Sequence, residues 1–362
     1  MKIWFAASIV RNSRGGVNRS MRTLARALHD AGHITKVIYN DGHGILSWYP
    51  LFAFRLFLMI LFMHRSRPDW VLARSTDGLF CALGTRLLKL KTKVAIYNHG
   101  WEEFVYDLEK RLPGFLLNPA TTWKAHILRF PMLRLTLKYV SLCVSGTIHE
   151  TRWLREKYSG YAGKFLYLPN GVNSTKKEWW SREKEVPPYF LFVGGTTWKK
   201  NPSYAVSLLS RILAREPAAR LFCIGCEPHI LCNAECENVG YAITCIPSVP
   251  MNEMALWYKK CPWYLLTSRY EGGHSLALLE ALSSGAVAFV SPIPSNREII
   301  THEKNGYLIS CVNRGEDADF ILRTMHHRET VQQVRSRAIA TARRNRWERQ
   351  AHRLERCLWT KR

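Results

Sequence analysis

Short apolar runs alternate with amphipathic stretches along most of the chain, the rhythm expected of strands buried on both faces and of the helices that cover them. In the first half the strand-like runs are Lys2 to Val10, Thr35 to Tyr39, Trp70 to Ala73, Lys93 to Tyr97, Tyr139 to Val144 and Phe165 to Leu168, with a helix from Asn18 to Ala31 after the first. From Asn173 to Pro188 the chain turns polar and charged and ends in Pro187-Pro188, which reads as a linker. The pattern restarts at Tyr189 to Val193, continues to about Arg344, and is followed by a helical segment, Trp347 to Leu358. The fold class predicted is α/β, with two doubly wound parallel-sheet domains at 1–172 and 189–345, a linker at 173–188 and a terminal helix within 346–362.

The segment Trp263 to Gly285 carries the most chemistry. Trp263 to Thr267 reads as an interior strand, Ser275 to Ser284 as a helix apolar on nearly every face, Gly285 as its cap, and Ala286 to Ser291 as the next strand. Such a unit of a parallel sheet is right-handed, and ligands bind beyond its strand ends, where Glu271 and the helix start fall. Glu280 lies about 7.5 Å along the helix from Ser275, and its side chain leans back toward the helix start. A carboxylate on an apolar helix needs donors: backbone amides, a basic side chain or ligand hydroxyls. Gly272 and Gly273 leave room for a ligand, and the free amides of the helix start favour phosphate. The segment suits a molecule with both hydroxyls and phosphate; the plainer alternative is a surface Glu271 and a Glu280 satisfied by a neighbouring Arg.

Landmarks elsewhere fall in a matching order: Gly15-Gly16-Val17 before a basic helix, Tyr97-Asn98-His99-Gly100 ending a strand, Val144-Ser145, and Leu168-Pro-Asn-Gly-Val-Asn173. Leu191-Phe-Val-Gly194 with Lys199-Lys200-Asn201 follows, then Phe222-Cys-Ile-Gly225, the glutamate segment and Asn305-Gly-Tyr-Leu308. With these the chain resembles the family 4 glycosyltransferases, retaining enzymes of the two-domain GT-B fold, among them bacterial lipopolysaccharide and exopolysaccharide enzymes. The resemblance covers nearly the whole chain.

It implies a hexosyltransferase that takes a nucleotide-diphosphate sugar to a hydroxyl of a glycan or lipid-linked acceptor, with retention and with neither a cofactor nor a bound metal. The donor would lie on the second domain and the acceptor on the first, across a cleft, and the last helix would cross back to the first domain. Donor contacts carry over to Gly15, Gly16, Gly194, Lys199, Lys200, Glu271, Gly272, Gly273, His274, Ser275, Leu276 and Glu280, and supporting catalytic roles to His99, Lys200 and Glu271. Glu271 would contact the sugar and Glu280 the ribose. Two departures stand out. Eight residues separate Glu271 from Glu280 where the family has seven, which puts the Glu271 contact in question and offers His274 part of the sugar-facing role. Gly195 occupies the position of a family Arg, so Lys199 or Arg14 must replace that charge beside Lys200.

A formal net charge of +24 over 362 residues asks for an anionic partner. Between Glu109 and Glu150 there is no acidic residue, while Arg111, Lys124, Arg129, Arg134 and Lys138 alternate with Trp123, Ile127, Leu128, Phe130, Leu133 and Leu135. With Phe52, Phe54, Arg55, Phe57 and Phe62, these suit either an anionic membrane surface or helices packed on the first sheet. No nucleic-acid-binding signature is present, and nucleic acid is not expected as a partner. The longest apolar run, Tyr49 to Met63, is broken by Arg55, and the start of the chain reads as a strand; the expected location is cytoplasmic, peripheral on the inner membrane. The ten cysteines read as reduced core residues. Cys223, Cys226, Cys232 and Cys236 have metal-like spacing, but a strand through Cys223 is poor geometry for a zinc knuckle, and Asp317 and Asp319 read as first-turn helix acids. A nicotinamide oxidoreductase would need Gly-x-Gly-x-x-Gly after the first strand, which Ser13 to Asn18 does not supply. The competing class left is a basic binding protein of the same fold without turnover.

Overall fold

The computed structural model describes residues 1–9, 11, 15–40, 49–63, 66–98, 100–112, 125–173, 186–227 and 239–361. The chain divides into two compact units, Met1–Gly171 with Trp347–Arg362, and Val172–Arg346. Most of the predicted linker, 174–185, lies outside the described residues.

In the first unit, six parallel strands, β1 (Lys2–Ala7), β2 (Ile34–Tyr39), β3 (Trp70–Ala73), β4 (Lys93–Tyr97), β5 (Leu142–Ser145) and β6 (Phe165–Tyr167), stand in the order β2-β1-β3-β4-β5-β6. The central strands are apolar throughout because both faces are covered, and Ile3, Phe5, Trp70 and Ile96 are fully buried. Their helices are α1 (Gly16–Asp30), α2 (Tyr49–Phe62), α3 (Leu79–Leu87), α4 (Glu102–Lys110), α5 (Phe130–Tyr139) and α6 (Ile148–Lys157). Tyr139, expected to open a strand, instead ends α5. Val140 takes the extended conformation that stops the helix, and β5 begins at Leu142. The last helix, Trp347–Thr360, packs on α1, and His33 Nε2 lies 3.1 Å from Glu355 Oε1. Gly171 admits this helix closely, since a Cβ there would sit 2.7 Å from the Trp347 ring.

The second unit carries β7 (Tyr189–Val193), β8 (Arg220–Ile224), β9 (Ile243–Ile246), β10 (Trp263–Leu266), β11 (Val287–Val290) and β12 (Tyr307–Leu308), all parallel, in the order β12-β11-β10-β7-β8-β9. Read from the β9 edge and numbered within the unit, this is 3-2-1-4-5-6, the doubly wound order whose direction of winding reverses between β7 and β10. Phe190 and Phe192 point to one face, where α7 (Pro202–Leu213) lies; Leu191 points to the other, with α8 (Met254–Lys260) and α9 (Leu276–Ser283). On the first face α10 (Arg314–His326) joins α7, and α11 (Arg328–Arg344) sends Val331 and Val334 to that cluster and Ala338 and Ala342 to the other.

One glycine fixes the ends of neighbouring strands, β7, β8 and β9. Gly225 has φ +86°, and its amide donates to the Ile246 carbonyl at 2.8 Å; a Cβ there would meet the Gly194 carbonyl oxygen at 2.9 Å. Gly225→Ala therefore adds left-handed strain and a clash against backbone, at about 2 kcal/mol. Differential scanning fluorimetry should show a Tm about 4–8 °C lower than wild type.

Candidate functional site

The reversal between β7 and β10 places two loops side by side at the carboxyl ends of those strands, 194–201 and 267–275. Backbone and hydroxyl bonds lock them together. Thr267 Oγ1 donates to the Asn201 carbonyl at 2.8 Å, and the Arg269 amide donates to the Lys199 carbonyl at 2.8 Å. Ser291 Oγ, at the end of β11, donates to the Ser268 carbonyl at 2.6 Å. Asn201 takes the left-handed conformation, φ 51° and ψ 51°, which turns the chain from the lysine pair straight into α7. Gly194 leaves space for the Lys200 stem: a Cβ there would lie 3.3 Å from Lys200 Cγ and Cδ.

The loops bring Glu271 between the two lysines. Its side chain is 8% exposed, with Lys200 Nζ 2.5 Å from Oε1 and Lys199 Nζ 3.5 Å from Oε2. Ser268 Oγ donates to Oε1 at 2.8 Å. Burial alone raises such a carboxyl, but here the charges of Lys200 and Lys199 and the hydrogen bonds from Lys200 and Ser268 outweigh it and hold Glu271 below its ordinary value. The group is an anion at neutral pH, fit to accept hydrogen bonds from hydroxyls. Two ammonium groups against one carboxylate leave a surplus positive charge at the loop ends. The alternative of a surface glutamate in a loop is overturned by this burial.

The rest of the segment follows from the start of α9. Ser275 caps the helix, its hydroxyl accepting from the Leu278 amide at 3.4 Å, and Leu276 is the first helical residue. Gly272 and Gly273 lie between Glu271 and this cap, and His274 is turned inward, Nε2 3.0 Å from Glu298 Oε2. Glu280 is half-buried on α9 and accepts from the Tyr258 hydroxyl of α8 at 3.0 Å.

Gly15 and Gly16 belong to the first unit, where Gly15 caps α1, Gly16 is its first residue, and Asn18 Nδ2 holds the preceding loop through the Arg11 carbonyl at 2.9 Å. His99 and Arg14 lie outside the described residues; Lys199 stands beside Lys200 on the other oxygen of Glu271. Asp317 is a buried tie: it accepts from the Tyr204 hydroxyl at 2.7 Å and the Cys311 amide at 2.9 Å, while Asp319 pairs with Arg215 at 2.7 Å. Cys223 pairs in register with Cys245; Cys232 and Cys236 lie outside the described residues, among which no three ligating side chains cluster.

Several residues of these sites were not singled out from the sequence. Ser268, Arg269 and Tyr258 gave no signal beyond neighbourhood, since their partners are 3 to 68 positions away. Asp77, in the first unit, accepts from the Ser8 amide at 2.7 Å just past the end of β1, and burial pushes its carboxyl up to about 6 against that hydrogen bond. Glu150 is fully buried and accepts from the Trp101 amide and, at 3.0 Å, the Gly146 amide, joining the turns after β4 and β5.

These two sheets agree with comparisons to known proteins. The model "Glycosyltransferase Family 4" matches residues 14–176 and "Glycosyl transferases group 1" matches residues 173–341. The chain belongs to this glycosyltransferase family and has its two-domain GT-B fold. Sucrose-phosphate synthase from Thermosynechococcus elongatus superposes with a TM-score of 0.76 at 15% identity, covering 100% of both chains. HepE from Anabaena, solved with UDP and glucose, gives 0.71 at 14% identity over 99% of this chain and 100% of its own. WaaB, described as a lipopolysaccharide outer core galactosyltransferase and solved in its apo form, gives 0.70 at 16% identity over 100% of both. No curated protein sequence matches the chain.

Lys200→Met leaves the buried carboxylate with Lys199 alone, at a cost of about 3 kcal/mol, the low end for a broken buried pair. Because the folded-state pKa of Glu271 is depressed, the pair stabilises fully above the unfolded value of about 4.3, and the stabilisation is lost as pH falls through the folded value. The Tm difference between wild type and variant, measured from pH 8 downward, should hold steady and then shrink in acid below that unfolded value. A difference that grows in acid would contradict the assignment.

Proposed function

We propose that the enzyme transfers a hexose, with retention of configuration, from a nucleotide-diphosphate sugar to a hydroxyl of a glycan or lipid-linked acceptor. The pairing of Glu271 with Lys200 and Lys199 at the winding reversal carries the reading. A diphosphate leaving group gains negative charge as the glycosidic bond breaks, and the surplus positive charge of the lysine pair is aimed where it develops. Free amides at the start of α9 add partial positive charge. The leaving-group charge is thus met by side chains and backbone, and the reading needs no bound metal.

Glu271, held ionised, accepts from hydroxyls of the transferred sugar and fixes its orientation. Glu280, directed by Tyr258, accepts from the ribose hydroxyls. Gly272 and Gly273 allow the backbone to approach the sugar, and His274, fixed by Glu298, keeps the loop's shape. UDP is the first choice of nucleotide, because HepE was solved with UDP and with UDP-glucose. The acceptor is assigned to the first unit, and cell-surface polysaccharide or lipopolysaccharide synthesis is the favoured setting, in line with WaaB.

A saturating ligand that binds only the folded state stabilises it by about 2.7 kcal/mol at a hundredfold excess over Kd, or about 5–10 °C in Tm for a domain of this size. Among UDP, GDP, ADP and CMP, UDP should give that shift and Glu280→Ala should abolish it. In a transfer assay Glu271→Ala and Lys200→Ala should each lower kcat/KM about a hundredfold, EDTA should leave the wild-type rate unchanged, and product NMR should show the donor's anomeric configuration. A binding protein without turnover would show no transfer, and these substitutions would leave its main activity intact.

The same reading places the enzyme on the cytoplasmic face of an anionic membrane. Helices α2, α3 and α5 do cover the first sheet: Phe52, Phe130 and Leu133 are core residues. Around them, however, Phe62 at the end of α2, Leu87 and Leu88 at the end of α3, and Ile127 and Leu128 just before α5 are between 51% and 73% exposed, and Arg86, Lys89 and Lys138 of the same stretches are exposed too. Arg129 and Arg134 are engaged by Glu102 and Glu103 at 2.9 and 2.8 Å. No helix among the described residues is long and apolar enough to cross a bilayer. Apolar groups at the acyl boundary with cations at the headgroups fit a surface-bound enzyme. Flotation should recover it with liposomes containing phosphatidylglycerol and leave it behind with pure phosphatidylcholine; Leu87→Asp with Ile127→Asp should abolish flotation.

A further inference from the structure

On the face of the second sheet covered by α7 and α10, opposite the face that carries Tyr258 and Glu280, a cavity of about 620 Å³ opens beside the lysine loop. Three guanidinium groups line it: Arg211 from α7, Arg269 from the loop after β10, and Arg314 from the first position of α10. Asn201, Ser203 and Gly315 lie between them, and no lining residue among those described is acidic. Asp317, which braces Tyr204 and Cys311 in its wall, spends its oxygens on the Tyr204 hydroxyl, the Ser310 amide and hydroxyl, and the Cys311 amide.

Arg269 has the environment of a ligand-binding cation. It is half-buried, stacks on Trp198 at 4.9 Å, and gives Asn201 Oδ1 one hydrogen bond of 3.2 Å, while its Nε is buried with no hydrogen-bond partner among the described residues. No carboxylate pairs with Arg269 or Arg211 among those residues. Arg269 and Arg211 place two positive charges around one concavity, which favours an anion between them, and the guanidinium fork matches phosphate oxygens two at a time.

We infer that this cavity binds a small phosphate monoester, at a site separate from the sugar nucleotide. The volume suits a molecule the size of a sugar phosphate. Regulation follows from connectivity, and this part rests on the donor assignment above. The Arg269 amide holds the Lys199 carbonyl, and its guanidinium holds Asn201 at the end of the lysine pair, so an anion that orders Arg269 orders the loop presenting Lys199 and Lys200. Positive coupling between the monoester and UDP is the expected result.

The test is calorimetric titration of the full chain with inorganic phosphate, ribose 5-phosphate and ribose, at ionic strength held constant with sodium chloride. Both phosphates should bind saturably, ribose 5-phosphate more tightly, and ribose should not bind. Arg211→Gln with Arg314→Gln, both exposed positions, should weaken ribose 5-phosphate at least about tenfold. UDP affinity in the absence of phosphate should be unchanged in that variant. The inference is overturned if phosphate acts no differently from matched chloride, if the double variant binds ribose 5-phosphate as wild type does, or if UDP displaces it and the variant loses UDP as well. Absence of UDP binding with intact ribose 5-phosphate binding would instead overturn the donor assignment and leave this site standing.

Discussion

A carboxylate removed from water between two loops, with an ammonium group against each of its oxygens, is the constraint on which the second unit's site is built. Glu271 would be costly where it lies without Lys200 and Lys199, and the lysines would be solvated surface charges without Glu271. Their pairing joins the loop after β7 to the loop after β10 at the one place in the sheet where helices leave to opposite faces. Around it, Thr267, Ser268 and Arg269 make bonds whose common effect is to fix the ends of those strands. The geometry is therefore held before any ligand arrives, which is the condition under which fixed charges stabilise a transition state without reorganising.

The excess of basic residues has more than one structural destination. Some cations are consumed internally: Arg134 and Arg129 on Glu103 and Glu102, Arg215 on Asp319, and Lys164 on the carbonyls of Leu137 and Lys138. Others stack on aromatic faces, as Lys157 does over Trp153 and Arg353 over Tyr167. Others among the described residues face solvent, some near the exposed apolar side chains at the ends of α2 and α3 and before α5, and some around the arginine-lined cavity. Net charge alone would not separate these fates; burial and partner geometry do.

Most strands were legible because buried parallel strands are written as unbroken apolar runs, and Trp70 to Ala73 and Lys93 to Tyr97 match the observed limits. The edge strand Ile243–Ile246 was not, since one side of an edge is uncovered and its residues are largely half-buried, with neither a run nor an alternation to betray them. At the site, the glutamates, glycines and lysines could be found from their order along the chain. What order could not supply was the hydroxyl that meets Glu280: Tyr258 comes from a short helix 22 positions earlier, and the packing of α8 against the sheet brings it there. Arg269 was hidden for a similar reason, because its significance lies in Trp198 and Asn201 from the neighbouring loop.

The helix Trp347–Thr360 gives the first unit a discontinuous chain. Leu354 and Leu358 reach their buried places against a body whose other residues end at Gly171, so the whole of the second unit must be synthesised before the first can seal its surface. During translation the continuous unit can finish folding as soon as it emerges, whereas the earlier one waits with the apolar side of α1 uncovered. Birth order and completion order of the two units are thereby reversed, and the apolar side of α1 stays open until the helix Trp347–Thr360 has been made.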